Sequence, residues 1–146
     1  IAMYKKYDIL SKDELHSRFE IFTEQYIEKV KVEILTGLRI AKTMVLPASI
    51  RYQTELADNV ISLQDAGVEG STSALESVTG LVNSLQARIV DLDAKVLVED
   101  DTNGQYSCKT LLPALESLRE AVDALELVVA DDEWALPSYQ EMLFIK

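Results

Sequence analysis

Several residue types that local motifs require are scarce in this chain. Its 146 residues include five Gly and three Pro, too few for the many tight turns of a β-rich protein. The single histidine, His16, cannot complete a Ser/His/Asp set, and no glycine-rich phosphate loop occurs. One cysteine, Cys108, excludes an internal disulfide and favours a reducing cytoplasm. The residues therefore predict an all-α, cytoplasmic chain without a catalytic centre and without a cofactor-binding site.

Long apolar runs and basic patches are also missing. No run approaches the ~18 apolar residues that a membrane span needs, although 48% of the residues are hydrophobic. The net charge is −11, and most of it lies in residues 67–146, which carry 15 acidic and five basic side chains. An acidic surface repels phosphate backbones and anionic lipids. We therefore expect neither a nucleic-acid partner nor a membrane partner, and solubility is the simplest role of the charge.

A very long first helix is predicted over about residues 12–65. Ser11 followed three residues later by Glu14 forms a capping box at its start. Apolar residues then recur from Leu15 to Leu63 with the period of a nearly straight α-helix. The pattern keeps its phase through Pro47, so we expect a kink there and not an end.

Two further helices and a tail complete the predicted elements. The second helix is expected over about 73–98, with Ser73 capping toward Glu76, and the third over about 108–131. Both alternate apolar steps of three and four residues, which is typical of antiparallel bundles. Pro113 is tolerable only in the first turn of the third helix. Residues 132–146 form a short apolar tail that has to dock on another surface.

These elements predict a single all-α domain over 1–146, an antiparallel bundle of three to four helices. The second half of the long helix, about Pro47 to Gln64, matches the other two helices in length and would form a three-helix bundle with them. The first half, which carries Phe19, Phe22, Tyr26 and Ile34, has no partner of equal length. It must be covered by the tail, by a second copy or by another domain.

The candidate metal sites in the sequence are weak. Residues 99–104, EDDTNG, resemble the start of a calcium loop, but Thr110 stands where a bidentate Glu is required. His16 has no second His or Cys beside it, so no transition-metal site is expected. Cys108 lies near the start of the third helix, where backbone N–H groups could lower its pKa, but no histidine is near it in sequence. We therefore predict no metal site.

The candidate functional residues are apolar and belong to interaction surfaces. They occupy the first half of the long helix and the tail: Phe19, Phe22, Tyr26, Trp134, Tyr139, Leu143 and Phe144. Few basic residues surround the aromatic ones, so they are not expected to stack on bases. Large exposed apolar side chains favour association, either with a second copy or with another domain.

Two stretches carry a family resemblance. Residues 131–146, DDEWALPSYQEMLFIK, resemble the extreme C-terminus of the type III glutamine synthetases. Residues 11–22, SKDELHSRFEIF, and 42–53, KTMVLPASIRYQ, look like the long helix that opens the C-terminal helical region of that family. Ala135 departs from the family pattern, which has a larger residue or proline there. The resemblance is dense only at the two ends of the chain.

The resemblance implies a part of a larger enzyme. That family makes glutamine from glutamate, ammonia and ATP with a divalent metal such as Mg²⁺, and it assembles into double-ringed dodecamers. Its ATP and metal ligands precede the helical region, so no catalytic residue is carried onto this chain. The expected role is packing, subunit assembly or regulation, with the enzyme's own catalytic domain and other subunits as partners. The first residues, IAMYKKYD, fit a segment of a longer protein. The alternative is a free-standing acidic helical module for protein–protein interaction.

Overall fold

In a computed structural model of the chain, residues 2–7, 9–98, 101, 103–137 and 139–143 are described, and their regular elements are all helical. The α-helices are α1 (Ala2–Lys6), α2 (Lys12–Ile40), α3 (Leu46–Asp65), α4 (Ser73–Val96), α5 (Leu112–Glu126) and α6 (Tyr139–Leu143). Two π-helical turns join them, the first at Ala41–Val45 and the second at Ser107–Leu111. The predicted all-α bundle with a very long first helix is confirmed.

The long helix begins at the capping box that the sequence predicts. The backbone N–H of Glu14 donates to the Ser11 hydroxyl at 3.2 Å, and the Glu14 carboxylate accepts from the Ser11 N–H at 2.8 Å. Each side chain thus satisfies a backbone group that the first helical turn leaves without a partner. From there α2, the first π-turn and α3 continue without interruption for 54 residues.

The long helix continues through Pro47, and this agrees with the prediction from the unbroken apolar phase. The helix widens just before it, where the N–H of Leu46 donates to the carbonyl of Ala41, five residues back. Proline has no N–H, and its ring crowds the carbonyl four residues earlier, so one wide turn removes the conflict. Pro113 is accommodated in the same way, because the N–H of Leu112 donates to Ser107. Each π-turn is thus followed directly by a Leu-Pro pair, Leu46-Pro47 in the long helix and Leu112-Pro113 in α5.

The ends of α4 and α5 differ from the sequence-based expectation. Thr72, not Ser73, precedes the first turn of α4, and its hydroxyl donates to the Glu76 carboxylate at 2.7 Å. Ser73 is already helical, and its N–H donates to the hydroxyl of Ser71. The helix predicted to reach residue 131 ends at Glu126. A tight turn follows, in which the N–H groups of Val128 and Val129 both donate to the carbonyl of Leu125.

The helices form an antiparallel three-helix core. α4 runs back along the long helix, since Gln53 bonds Thr79 near one end of α4 and Lys42 bonds Asp93 near the other. α5 then packs on α4 and on α2. The fully buried apolar side chains come from all three: Val30, Ile34, Leu38, Ala41, Val45, Ala48, Val78, Val82, Leu85, Ile89, Leu92, Leu111, Ala114, Leu118, Ala121, Leu125 and Val129.

The position of the core corrects one prediction. Within α3 only Ala48 and Ser49 are fully buried, so the bundle is not centred on Pro47 to Gln64. The later half of α2 and the first π-turn contribute more, and Ile34, expected to need an external partner, is 0% exposed. The reason is that α5 packs beside Gly37, where a Cβ atom would come within 2.9 Å of Leu115. The unpartnered part of the long helix is therefore shorter than predicted.

Candidate interaction surface

The beginning of α2 projects beyond the core. We call residues 12–29, which precede the first buried residue Val30, the overhang. Its apolar stripe consists of Leu15, Phe19, Phe22 and Tyr26, which recur at helical spacing and continue the face that buries Val30. Phe19 and Phe22 are 63% and 65% exposed, whereas Leu15 is half-buried. The same helix face is thus core at one end and surface at the other.

Charges are divided unevenly around this stripe. With 3.6 residues per turn, the five acidic side chains of the overhang lie on the half of the helix opposite the stripe. They are Asp13, Glu14, Glu20, Glu24 and Glu28. Lys12 and Arg18 lie beside the stripe, and in the described part of the chain neither makes a salt bridge. The overhang therefore presents an apolar stripe with Lys12 and Arg18 beside it and with its carboxylates on the other side of the helix.

The stripe meets the bundle at Tyr26. Gly104 lies against its ring, where a Cβ atom on Gly104 would come within 3.1 Å of Tyr26, and the Gly104 backbone has a φ of 72°. Burial, together with neighbouring Cys108 and Asp101, raises the pKa of Tyr26. Tyr26 is 39% exposed, less than the two phenylalanines. It is thus the junction between the overhang and the segment that precedes α5.

Asp101 belongs to that junction and caps the helix that follows it. Its carboxylate accepts the N–H of Ser107 at 2.7 Å and the N–H of Tyr106 at 3.2 Å. Burial would raise the pKa of Asp101, but hydrogen bonds from Ser107, Tyr106 and Gly104 together lower it.

Asp101 was a candidate calcium ligand in the sequence, and Glu99 of the same loop lies outside the described residues. Within the described part of the chain, no group of three His, Cys, Asp or Glu residues is arranged to hold a metal.

The tail folds back on the other end of the bundle. Arg51 of α3 donates to the Glu133 carboxylate at 2.8 Å, and Trp134 and Leu136 pack against the core. The Nε1 atom of Trp134 is buried and has no hydrogen-bond partner in the described structure. Trp134, predicted as an interaction residue, therefore contacts its own chain.

The two groups of predicted interaction residues lie far apart. Phe19 and Arg51, to which the tail is tied, are 32 positions apart on one continuous helix, so about 48 Å separates them. Tyr139 begins α6, and Leu143 of the same helix is 77% exposed. Phe144 lies outside the described residues. The overhang and the tail are thus two separate surfaces.

A third apolar surface was not predicted from the sequence. A groove with a volume of about 430 Å³ runs between α2 and α5 over the contact of Gly37 with Leu115. Its lining residues are Glu33, Thr36, Gly37, Ile40, Ala41, Leu115, Leu118, Arg119 and Val122. The apolar pattern of either helix alone shows only its core face, and the groove exists because two helices approach side by side. No described helix has the length and apolar character of a membrane span.

Comparisons with known proteins support the resemblance. Residues 1–64 match the model of the glutamine synthetase C-terminal domain family. Over 159 residues the chain is 31% identical to the type-3 glutamine synthetase of Dictyostelium discoideum, with 100% of this chain and 22% of that protein aligned. It is 28% identical over 153 residues to a glutamine synthetase of Bacteroides fragilis strain YCH46, covering 94% of this chain and 21% of the relative. It is 24% identical over 156 residues to a glutamine synthetase of Butyrivibrio fibrisolvens, and the alignment covers 99% of this chain and 22% of that protein. The chain spans about a fifth of the length of these curated relatives.

Proposed function

Because this chain is homologous to the C-terminal part of type-3 glutamine synthetases, we propose that it is the non-catalytic helical domain of such an enzyme. The single observation that carries this proposal is the alignment of the whole chain with about a fifth of a longer synthetase. The proposed role is structural, namely packing against the rest of the enzyme and holding subunits together.

The exposed stripe of the overhang supports an assembly role. Burying a Phe-sized side chain contributes roughly 1.5–3 kcal/mol, so Phe19 and Phe22 together offer a sizeable driving force for association. The matched relatives contain other regions that can provide a partner surface. We propose that the intact protein is cytoplasmic and homo-oligomeric, and that it ligates ammonia to glutamate with ATP and Mg²⁺ bound elsewhere in the enzyme.

Paired substitutions in the intact protein test this role. Phe19→Ser with Phe22→Ser should shift the sedimentation of the intact synthetase toward smaller species. Val32→Ser with Leu35→Ser is the matched control, because these residues are 62% and 52% exposed on the same helix but lie off the stripe. Equal sedimentation of the two variants and the wild type would contradict an assembly role for the stripe.

The isolated chain should neither form glutamine from glutamate, ammonia and ATP nor bind ATP. The physical reason is that its sequence lacks a glycine-rich phosphate loop and contains only one histidine. Calorimetric titration with ATP and a γ-glutamyl transfer assay on the pure chain measure this. Heat of nucleotide binding, or transfer activity above that of a buffer control, would refute the non-catalytic assignment.

A free-standing helical interaction module is the second candidate. One observation favours it: the chain encloses its own apolar core and ties its own tail to α3. The mass of the protein made in its native cells separates the two candidates. A species of 16.3 kDa would support the module, and one several times heavier would support the synthetase domain.

A further inference from the structure

Exposed apolar side chains lie on both sides of the point where the overhang begins. Tyr7 and Ile9, in the segment that leads into α2, are about as exposed as the two phenylalanines of the stripe. A cavity of about 610 Å³ opens at the beginning of α2, with Leu15 and Phe19 in its lining. The free end of the overhang, which we call the tip, therefore offers both an apolar surface and a concave site.

Within the described residues, no other helix covers the tip. α4 and α5 bury the long helix only from Val30 onward. The tail is tied to α3 at Arg51, about 48 Å from Phe19 along the same helix. The cover for the tip therefore comes from outside the described residues.

The relatives show where additional polypeptide joins. The chain aligns with the C-terminal part of these synthetases, and nearly four-fifths of each relative lies outside the aligned part. In a synthetase of that length, the preceding region joins at residue 1, next to the tip. Lys12 follows Ala2 by ten positions, which span at most roughly 36 Å when fully extended. The overhang itself is about 27 Å long, so the tether allows the preceding region to reach the stripe.

We infer that the stripe of the overhang docks on an apolar face of the region that directly precedes residue 1 in the same polypeptide. Phe19 and Phe22 are the anchors of this contact, and the cavity at the tip receives side chains of the preceding region. The inference rests on the proposed function, because it requires the longer synthetase. It deepens that function, because it names the surface that the stripe meets and places the contact within one subunit.

The tether favours this contact over the same contact between subunits. A short linker holds its two ends at an effective concentration on the order of millimolar, roughly a hundredfold above that of free subunits at tens of micromolar. The face next to the tip is therefore occupied by its own overhang. In this arrangement the stripe holds the bundle in place within each subunit, and contacts of the bundle with neighbouring subunits depend on that placement.

Binding of the isolated chain to the intact synthetase tests the inference. In the intact wild type the tethered overhang fills its own site, whereas Phe19→Ser with Phe22→Ser in the intact protein leaves that site free. The isolated wild-type chain should then bind the intact double variant at least tenfold more tightly than it binds the intact wild type. Calorimetric titration measures both affinities, and circular dichroism melting checks that the variants keep their fold.

Two isolated chains serve as controls. The isolated chain that carries Phe19→Ser with Phe22→Ser should bind neither intact protein. The isolated chain with Val32→Ser and Leu35→Ser, which are exposed positions off the stripe, should bind the intact double variant as the wild-type chain does. Sedimentation velocity of the isolated wild-type chain at tens of micromolar should give a monomer.

Three outcomes would overturn the inference. Equal binding to both intact proteins would place the chain at a site that the tethered overhang does not occupy. Failure to bind either protein would show that the preceding region does not receive the stripe. Self-association of the isolated chain that is lost with Phe19→Ser and Phe22→Ser would make a second copy the partner.

The proposed function can fail separately. A native protein of 16.3 kDa would refute the synthetase domain itself, since no region would then precede the chain. A much heavier native protein that shows one of those three outcomes would refute the docking alone. Sedimentation of the intact double variant reports on subunit assembly and not on the site of docking.

Discussion

At the scale of single residues, Asp101 connects the loop before α5 to the helix itself. Its two carboxylate oxygens accept the N–H groups of Tyr106 and Ser107, which the first helical turn leaves without partners. The segment it closes lies against Tyr26 on the overhang through Gly104. Asp101 thus caps the helix start, and Gly104 places the same segment against the overhang at Tyr26.

Replacing Asp101 with Ala should lower the free energy of unfolding by about 1 kcal/mol near neutral pH, as for other helix caps. The pKa of Asp101 is lowered in the folded state, so its carboxylate stabilises the fold above the unfolded-state pKa of about 3.9. That contribution is lost as the pH falls through the lowered folded-state pKa. Urea denaturation at neutral and acidic pH measures it, and the difference between wild type and variant should shrink in acid. A difference that does not change with pH would contradict the charged cap.

Gly104→Ala and Gly80→Ala should have opposite effects on stability. Gly104 has a φ of 72°, and a Cβ atom there would come within 3.1 Å of Tyr26, so alanine should cost about 1–2 kcal/mol. Gly80 lies in α4 with open space around it, and alanine there should raise the free energy of unfolding by about 1 kcal/mol. Denaturant midpoints of the two variants measure the contrast. A stabilised Gly104→Ala would mean that the loop relaxes away from Tyr26.

At the scale of elements, the two π-turns show how a local conflict is absorbed without ending a helix. Each precedes a Leu-Pro pair and shifts one hydrogen bond to the carbonyl five residues back. Beyond the first π-turn, Ala48 and Ser49 are still buried, and Ser49 donates to the carbonyl of Val45 at 2.9 Å. The long helix therefore remains one element that presents a continuous face to α4.

The tail should tolerate Trp134→Phe much better than Trp134→Ala. Trp134 is half-buried and packs on the core, so alanine should cost about 2 kcal/mol of unfolding free energy. Phenylalanine removes the buried Nε1–H that lacks a partner, a group whose burial costs about 1–3 kcal/mol, and this offsets much of the lost apolar area. Denaturation followed by far-UV circular dichroism compares the variants. Equal losses for Phe and Ala would indicate that the Nε1–H is hydrogen-bonded in solution.

At the scale of the whole molecule, the chain is a bundle with an extension at one end. The tail covers part of the bundle near Arg51, and the overhang leaves at the opposite end. The groove lies between them on the side where α2 meets α5. The chain thus presents an exposed apolar extension and a separate apolar groove at different places on the bundle.

Phe22→Ala and Ile34→Ala compare the exposed overhang with the buried core on one helix. Phe22 is 65% exposed, so its truncation should change the free energy of unfolding by less than about 0.5 kcal/mol. Ile34 is 0% exposed in the core, and its truncation should cost about 2–5 kcal/mol. Urea denaturation at a concentration where the chain is monomeric measures both. A large loss for Phe22→Ala in the monomer would mean that the overhang folds onto the bundle.

The sequence by itself determined the features that depend on neighbours along the chain. The Ser11–Glu14 cap and the passage of the long helix through Pro47 follow from hydrogen bonds between residues a few positions apart. The apolar period likewise shows which face of each helix is buried. The error at Ser73 is small, because Ser71, Thr72 and Ser73 all offer hydroxyl groups at that helix start.

Only the tertiary structure decided which parts of these faces are covered. Phe19, Phe22 and Ile34 belong to one unbroken pattern, yet α4 and α5 reach only the last of them. The docking of Trp134 near Arg51 and the groove over Gly37 are contacts between residues distant in sequence. Periodicity records the direction in which a side chain points from its own helix. Burial depends on where another helix ends, and that position is set by packing across the whole bundle.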